Sequence, residues 1–326
     1  MPSFFDDDVL ESTVSERINR IDSIVIAHDA LQLSIQGIKR CIAWSETAKE
    51  PASAILTGHG GVGKTTVRDT ILRIYRSYEV AKSDKSVRIV PAYGASIPSP
   101  TTLRSTITDL LKGLGDPFPE RGSAYAATER LVKLLGECET KIILLDEFHH
   151  LSTLGQEKTQ KEICKWLKTL INKSKVMVCL IGEKDCFRLV SREEELSRRF
   201  ARKFQLSNLN AGTRDDEGPL CAYLRTLSSR SKQLLGLKEL LSFDDFIDVL
   251  RVELATRGNP SFISILFKEA IFSALYAERE EVARKDFALA FDLGITDAVS
   301  LIEKNPFLMS DDEVLRAILP ARKKKK

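Results

Sequence analysis

Long apolar runs are missing from this 326-residue chain, and none approaches the length that crosses a bilayer. The opening Met1-Pro2-Ser3-Phe4-Phe5-Asp6-Asp7-Asp8 is acidic where a secretory signal would be basic. Both absences argue against a membrane partner and set the expectation of a cytoplasmic or nucleoid location. Paired cysteines are missing too. Cys41, Cys138, Cys164, Cys179, Cys186 and Cys221 show no CxxC spacing, which speaks against a zinc ribbon or a disulfide framework and for small core side chains. A dominant charge sign is also lacking. Lysine and arginine number 49 against 46 acidic residues, and five of the basic ones form the run at 322–326; the rest holds 44 against 46, a net −2. A nucleic-acid surface on such a body has to be a local patch or the lining of a ring. The basic run itself reads as a solvated tail, or as an electrostatic arm for DNA or a partner.

The rest of the composition is ordinary for a globular chain, 43% hydrophobic and 29% charged, with room for one large domain and one small. Its most informative stretch is Gly58-His59-Gly60-Gly61-Val62-Gly63-Lys64-Thr65, a complete Walker A loop between an apolar run at 52–57 and a helix-forming run at 66–75. Glycines let successive backbone N–H groups turn inward around a polyphosphate. Lys64 reaches the outer phosphates, and the Thr65 hydroxyl can ligate magnesium at the positive end of the following helix, with Thr66 beside it. ATP and Mg2+ are the expected cofactors.

Hydrophobic periodicity divides the chain further. Residues 12–44 read as helical, with a break near Ile24, Val25 and Ile26. A first strand at 52–57 feeds the loop, a β-branched strand follows at 87–91, then a loop at 94–100 and helices at 101–111 and 123–136. The run at 141–146 has the continuity of a strand buried on both faces; 157–171 is an amphipathic helix, and strands four and five lie at 176–181 and 204–206. The alternation implies an α/β fold, a parallel five-stranded sheet flanked by helices. After Gly212 the strand signal stops, and 219–231, 243–255, 260–277 and 284–291 have helical spacing. The expected partition is an extension at 1–19, a nucleotide-binding domain at 20–210, a small all-helical lid at 211–295 and a basic tail at 296–326.

Asp146 and Glu147 end the third strand about 80 residues after Lys64, the separation of a Walker B element. A strand fixed by its buried run presents Asp146 at its carboxyl end, where it can hold magnesium through water; Glu147 can polarise the attacking water as general base. Before the fifth strand comes Glu193-Glu194-Glu195-Leu196-Ser197-Arg198-Arg199-Phe200. A guanidinium there could stabilise charge on a neighbouring subunit's transferred phosphoryl group, with Arg199 favoured and Arg198 second. A mixed-charge solvated helix is the alternative.

The order of Walker A, Walker B, fourth strand, Arg-Arg-Phe and helical lid resembles AAA+ ATPases over residues 20 to about 295. Two positions depart from that pattern. Glu183 falls where many relatives carry a polar sensor, and in Arg257-Gly258-Asn259-Pro260-Ser261 the serine stands where many have arginine, which implies slow or partner-dependent hydrolysis. Leu145-Asp146-Glu147-Phe148-His149-His150-Leu151, Leu180-Ile181-Gly182 and Glu195-Leu196-Ser197-Arg198-Arg199-Phe200 are similar to the TnsC/TniB family, ATPase regulators of DNA transposition that include those of CRISPR-associated transposons. His149 and His150 are adjacent, so on regular structure they point apart and do not read as metal ligands.

The resemblance implies an ATP-dependent adaptor that oligomerises as a ring or helical filament on double-stranded DNA with little sequence preference. Such an adaptor links a target selector to a transposase, and hydrolysis drives its disassembly. Relatives track the DNA backbone from two loops, whose positions here hold Thr101, Thr102 and Arg104, and Arg121, Gly122 and Ser123. Hydroxyls, guanidinium groups and helix N-terminal amides suit phosphate oxygens, and helix capping by Ser99, Thr101 and Ser123 explains the same residues equally well. The other readings are a replication initiator or helicase loader, which expects a dedicated DNA-binding domain after the lid, and a signalling ATPase, which expects effector or repeat domains.

Overall fold

The apolar run before the phosphate loop becomes a four-residue strand with every residue buried. In the computed structural model, residues 13–82, 85–97, 101–152 and 157–324 are described, with Lys82, Lys85, His149, Ser152, Lys323 and Lys324 described in backbone alone. The expected cap Ser99, the first twelve residues, and Lys325 and Lys326 lie outside the described residues. Among these residues the strands are β1 (Ala54–Thr57), β2 (Tyr78–Lys82), β3 (Lys85–Ile89), β4 (Ala92–Ser96), β5 (Ile142–Asp146), β6 (Met177–Gly182), β7 (Arg202–Gln205), β8 (Glu239–Leu240) and β9 (Glu281–Val282).

Five strands form one wholly parallel sheet in the order β4-β5-β6-β1-β7. Alternation along each strand builds a core on both faces. Ile143, Leu145, Val178, Leu180 and Ile55 enter one cluster with the helices Leu103–Leu114, Ala124–Glu137 and Glu157–Ser174. Ile142, Leu144, Met177, Cys179, Ala54 and Leu56 enter the other, with the helices Asp29–Thr47 and Lys64–Ile74. A strand that must pack on both faces has no polar side to show, which is why the runs at 142–145 and 176–181 are continuously apolar.

The second strand of the sheet is not the expected one. The β-branched run at 87–91 contributes β3, which pairs antiparallel with β2 in a separate hairpin, Val80 opposite Val87. The sheet instead takes β4, read from sequence as the start of a loop because of Gly94 and its small neighbours. Close packing favours the glycine there: a Cβ at Gly94 would lie 3.1 Å from Leu72 Cδ1 on the Walker A helix, a tight contact that the residue disfavoured by strand propensity avoids.

The chain forms two compact units, Ala30–Leu206 and the described parts of Met1–Asp29 with Ser207–Lys326. In the second, the helices Pro219–Leu235, Phe246–Thr256, Pro260–Tyr276 and Arg284–Asp292 surround Phe243, Phe267 and Phe287, whose rings meet at centroid distances of 5.1–5.7 Å. The region is helical as expected, apart from β8 and β9, a short parallel pair. The segments expected as an extension at 1–19 and a tail at 296–326 contribute to its core. Val14, Ile18 and Ile21 are buried in this core, and Arg17 Nε donates to the Leu235 carbonyl at 2.9 Å. Phe307, Met309, Val314, Ile318 and Ala321 join the core from the other end, the last three on a helix, Asp311–Lys324, within the basic tail expected at 296–326.

All six cysteines are free and sit in the cores. Burial pushes the Cys164 thiol up to about 11 and the Cys186 thiol up to about 12, so these sulfurs behave as small apolar groups. Among the described residues no helix is long and apolar enough to cross a membrane.

Candidate functional site

β1 delivers the chain to the phosphate loop at the carboxyl end of the sheet. The Gly58 N–H donates to the Gly182 carbonyl at 3.2 Å, which ties the loop to the end of β6. Gly61 and Gly63 take φ of +77° and +101°, a region that side chains disfavour, and a Cβ on Gly58 would come 2.5 Å from Val62 Cγ2. Val62 is fully buried and anchors the loop from beneath, while His59, Gly60 and Gly61 are exposed above it. Gly63 caps the helix that begins at Lys64. Lys64 Nζ donates to its own loop carbonyls, Gly58 O at 2.8 Å and His59 O at 2.9 Å, so the ammonium is aimed across the cradle. Thr65 is exposed and Thr66 half-buried in the first turn.

Asp146 ends β5, two strands from β1, and is 4% exposed. Its Oδ1 accepts the Glu147 N–H at 2.9 Å, and its Oδ2 accepts Arg68 Nη1 at 2.7 Å. Arg68 was not singled out from the sequence. The available signal was its spacing, since four residues past Lys64 places it one turn on along the same helix face. Its guanidinium also holds Asp69 Oδ1 at 2.9 Å, and despite the opposing effect of burial these two carboxylates raise its already high pKa.

Glu147 turns the chain out of the strand with φ of +57°. A non-glycine residue in that region stores about 1–3 kcal/mol of strain, held here by the buried Phe148 and Leu151 of the following 3-10 turn, Phe148–Ser152. The Glu147 side chain is half-buried, and its Oε2 lies 3.6 Å from His150 Nε2. Of His149 only the backbone is described.

The structure therefore brings the Walker A and Walker B residues into one place. The backbone amides of the loop, an ammonium held by loop carbonyls, a first-turn hydroxyl and a buried carboxylate suit a triphosphate with a small, oxygen-preferring cation, and the residues fit ATP and Mg2+.

The two arginines lie elsewhere. They end the helix Glu194–Arg199, just before β7, whose Arg202 pairs with Ala54, the first residue of β1. Arg199 is 8% exposed, its Nη2 is 3.8 Å from Glu50 Oε1, and its Nε and Nη1 are buried without a hydrogen-bond partner. Arg198 is exposed. Glu183, just beyond β6, is exposed. In the second unit Arg257 caps one helix with φ of +55°, Asn259 accepts from the Ser261 N–H at 3.1 Å to start the next, and Ser261 is exposed.

The residues expected to follow DNA do converge, but most are already engaged. Thr102 and Ser105 form a reciprocal capping box at the start of Leu103–Leu114, and Ser123 caps Ala124–Glu137 by accepting from Ala126 N at 3.3 Å. Thr101 is buried. Arg104 reaches the other loop and donates to Ser123 O at 3.3 Å and Pro119 O at 3.4 Å, a brace between the two helix starts. Arg121 is exposed, 5.2 Å over the ring of the exposed Phe118.

Comparison with known proteins gives a family and a fold. No curated protein matches the sequence. Among solved structures, the ORC2 protein of Aeropyrum pernix in its ADPNP–ADP complexes is 12% identical at TM-score 0.55, over 79% of this chain and 66% of that one. The ORC1 protein of Aeropyrum pernix in complex with DNA is 18% identical at TM-score 0.55, over 82% and 66%. Cdc6p from Pyrobaculum aerophilum is 14% identical at TM-score 0.55, over 82% and 68%. The chain thus spans about two thirds of the length of these structures. At such identities they show the fold alone, a parallel five-stranded sheet flanked by helices and a helical C-terminal region. A sequence model of the family described as Bacterial TniB protein matches residues 17–210, more than half of the chain. That stretch contains the phosphate loop, the Asp146 and Glu147 strand end and the paired arginines, and the chain belongs to the TniB family.

Proposed function

We propose that this protein is an ATPase that regulates DNA transposition, assembling on double-stranded DNA in its ATP state and connecting a target selector to a transposase. The observation that carries the reading is the meeting of the Walker A helix and the Walker B strand end, bridged at 2.7 Å between Arg68 and Asp146. Lys64 and the loop amides would hold the triphosphate, and Thr65 and Asp146 the magnesium ion, Asp146 through water. Mg2+, when bound, draws charge from the phosphate oxygens. Glu147 stands one residue beyond Asp146 and, half-buried at the open end of the strand, would take a proton from water.

Assembly enters through the arginines. Arg202 is in register with the first residue of β1 and the phosphate loop follows its last, so the helix ending at Arg199 and the subunit's own loop lie at opposite ends of a strand roughly 13 Å long. A guanidinium so placed serves a neighbour's nucleotide or none. The exposure of Arg198 supports it as the residue that reaches out, and the burial of Arg199 against Glu50 supports a role in positioning that helix. DNA contact in this reading falls chiefly on Arg121 and the helix-start amides beside it, with Arg104 as the brace.

The test is a mixing experiment. Lys64→Ala removes nucleotide binding and Arg198→Ala removes the reaching arginine; each alone should be inactive, and a mixture should recover part of the DNA-stimulated turnover. Recovery needs one subunit's loop and another's arginine to make one site. A mixture as inactive as its parts, beside an active wild type, refutes assembly through Arg198. A wild type that neither binds nor hydrolyses ATP refutes the reading as a whole.

A further inference from the structure

The carboxylate of Asp146 is not waiting empty-handed. One oxygen accepts a backbone N–H, and the other is covered by Arg68 at 2.7 Å, on a side chain that is itself 27% exposed while that of Asp146 is 6% exposed. A buried carboxylate needs a compensating charge, and Arg68 supplies the one cation paired with it among the described residues. Thr65, on the same helix three residues before Arg68, offers its hydroxyl from the neighbouring turn. A magnesium ion that Asp146 helped to hold would therefore meet Arg68 on the same carboxylate. Guanidinium and dication repel, and Arg68 has somewhere else to go: Asp69, half-exposed, already accepts its Nε at 2.9 Å.

Resting on the ATPase reading above, we infer that Arg68 is a cation placeholder that competes with Mg2+ for Asp146. In the nucleotide-free protein it neutralises the carboxylate and keeps it on its rotamer; on Mg2+ arrival it yields and is retained by Asp69. Sensitivity to magnesium is then a property that this arginine sets. Nucleotide affinity in the absence of the metal depends on Lys64 and the loop amides, which Arg68 does not touch.

The experiment measures binding of a fluorescent ATP analogue to the full chain as Mg2+ is raised from a chelated baseline, together with the melting temperature of the nucleotide-free protein. For Arg68→Gln the Mg2+ concentration at half effect should fall about fivefold, the scale of a partly exposed ion pair. Its metal-free affinity should stay at the wild-type value, and its nucleotide-free melting temperature should fall. Asp69→Asn removes the retaining partner at an exposed position where folding is not at stake, and should move the half point the other way. A half point that stays put in both variants, or one that rises in Arg68→Gln, overturns the placeholder while leaving the ATPase reading intact. A wild type that shows no binding at all, with or without Mg2+, overturns both.

Discussion

Arg322, the first residue of the C-terminal basic run, has structural contacts, and replacing it tests the packing directly. Arg322 Nε and Nη2 grip Glu253 at 2.7 and 2.6 Å, and Nη1 donates to the Gly212 carbonyl at 3.2 Å. Glu253 is 4% exposed, and its other contact is the Ala211 N–H at 2.9 Å. Arg322→Ala strips two charge-assisted hydrogen bonds from a buried carboxylate. Breaking such a pair costs about 3–5 kcal/mol when both partners are buried; with the Arg322 side chain 29% exposed, water can reach the gap, and about 2–4 kcal/mol is the expected loss. For a unit of this size that lowers the melting transition by roughly 5–12 °C. Thermal unfolding followed by circular dichroism reads this, alongside two controls. Deleting residues 323–326 should leave the transition within about a degree, because the deletion keeps Arg322 and its contacts in place. Adding Glu253→Gln to Arg322→Ala should restore part of the loss, since a neutral amide oxygen still accepts from Ala211 without a buried charge. An Arg322→Ala protein that melts with the wild type would refute the assignment of this pair as a structural contact.

Further outcomes follow from the site. Glu147→Gln should retain ATP-analogue affinity within about twofold and lose turnover by about a hundredfold or more, as measured in a phosphate-release assay. Arg199→Ala should destabilise the fold little, because it removes a buried guanidinium with two unpaired nitrogens, yet shift the helix that carries Arg198; the check is melting temperature against DNA-stimulated turnover, with unchanged turnover counting against a positioning role. Arg121→Ala should weaken duplex binding across all sequences and reduce the slope of log affinity against log salt by about one, whereas Arg104→Ala should also loosen the loop it braces and lower the melting temperature. Equal salt slopes for wild type and Arg121→Ala would remove Arg121 from the DNA surface.

The sequence alone determined the elements whose physics is local. A polyphosphate loop needs its glycines and lysine in consecutive order, and a strand buried on both faces must be apolar without interruption, so residues 58–65, Asp146 and Glu147 were legible before any coordinates. Helix periodicity marked most helices of both units to within a few residues, and the buried cysteines followed from their scattered spacing. What depended on packing between distant segments was not legible. The second half of β4 reads as loop because Gly94, packed close to Leu72, has low strand propensity, while the more β-prone run beside it forms a hairpin outside the sheet. The split between an exposed Arg198 and a buried Arg199 was not legible either, because adjacent residues on a helix face different ways and only the tertiary fold says which way is inward. The same holds for Arg68 and Arg322: each looks like a surface cation in the chain, and each is fixed by a carboxylate 78 or 69 residues away that folding buries beside it.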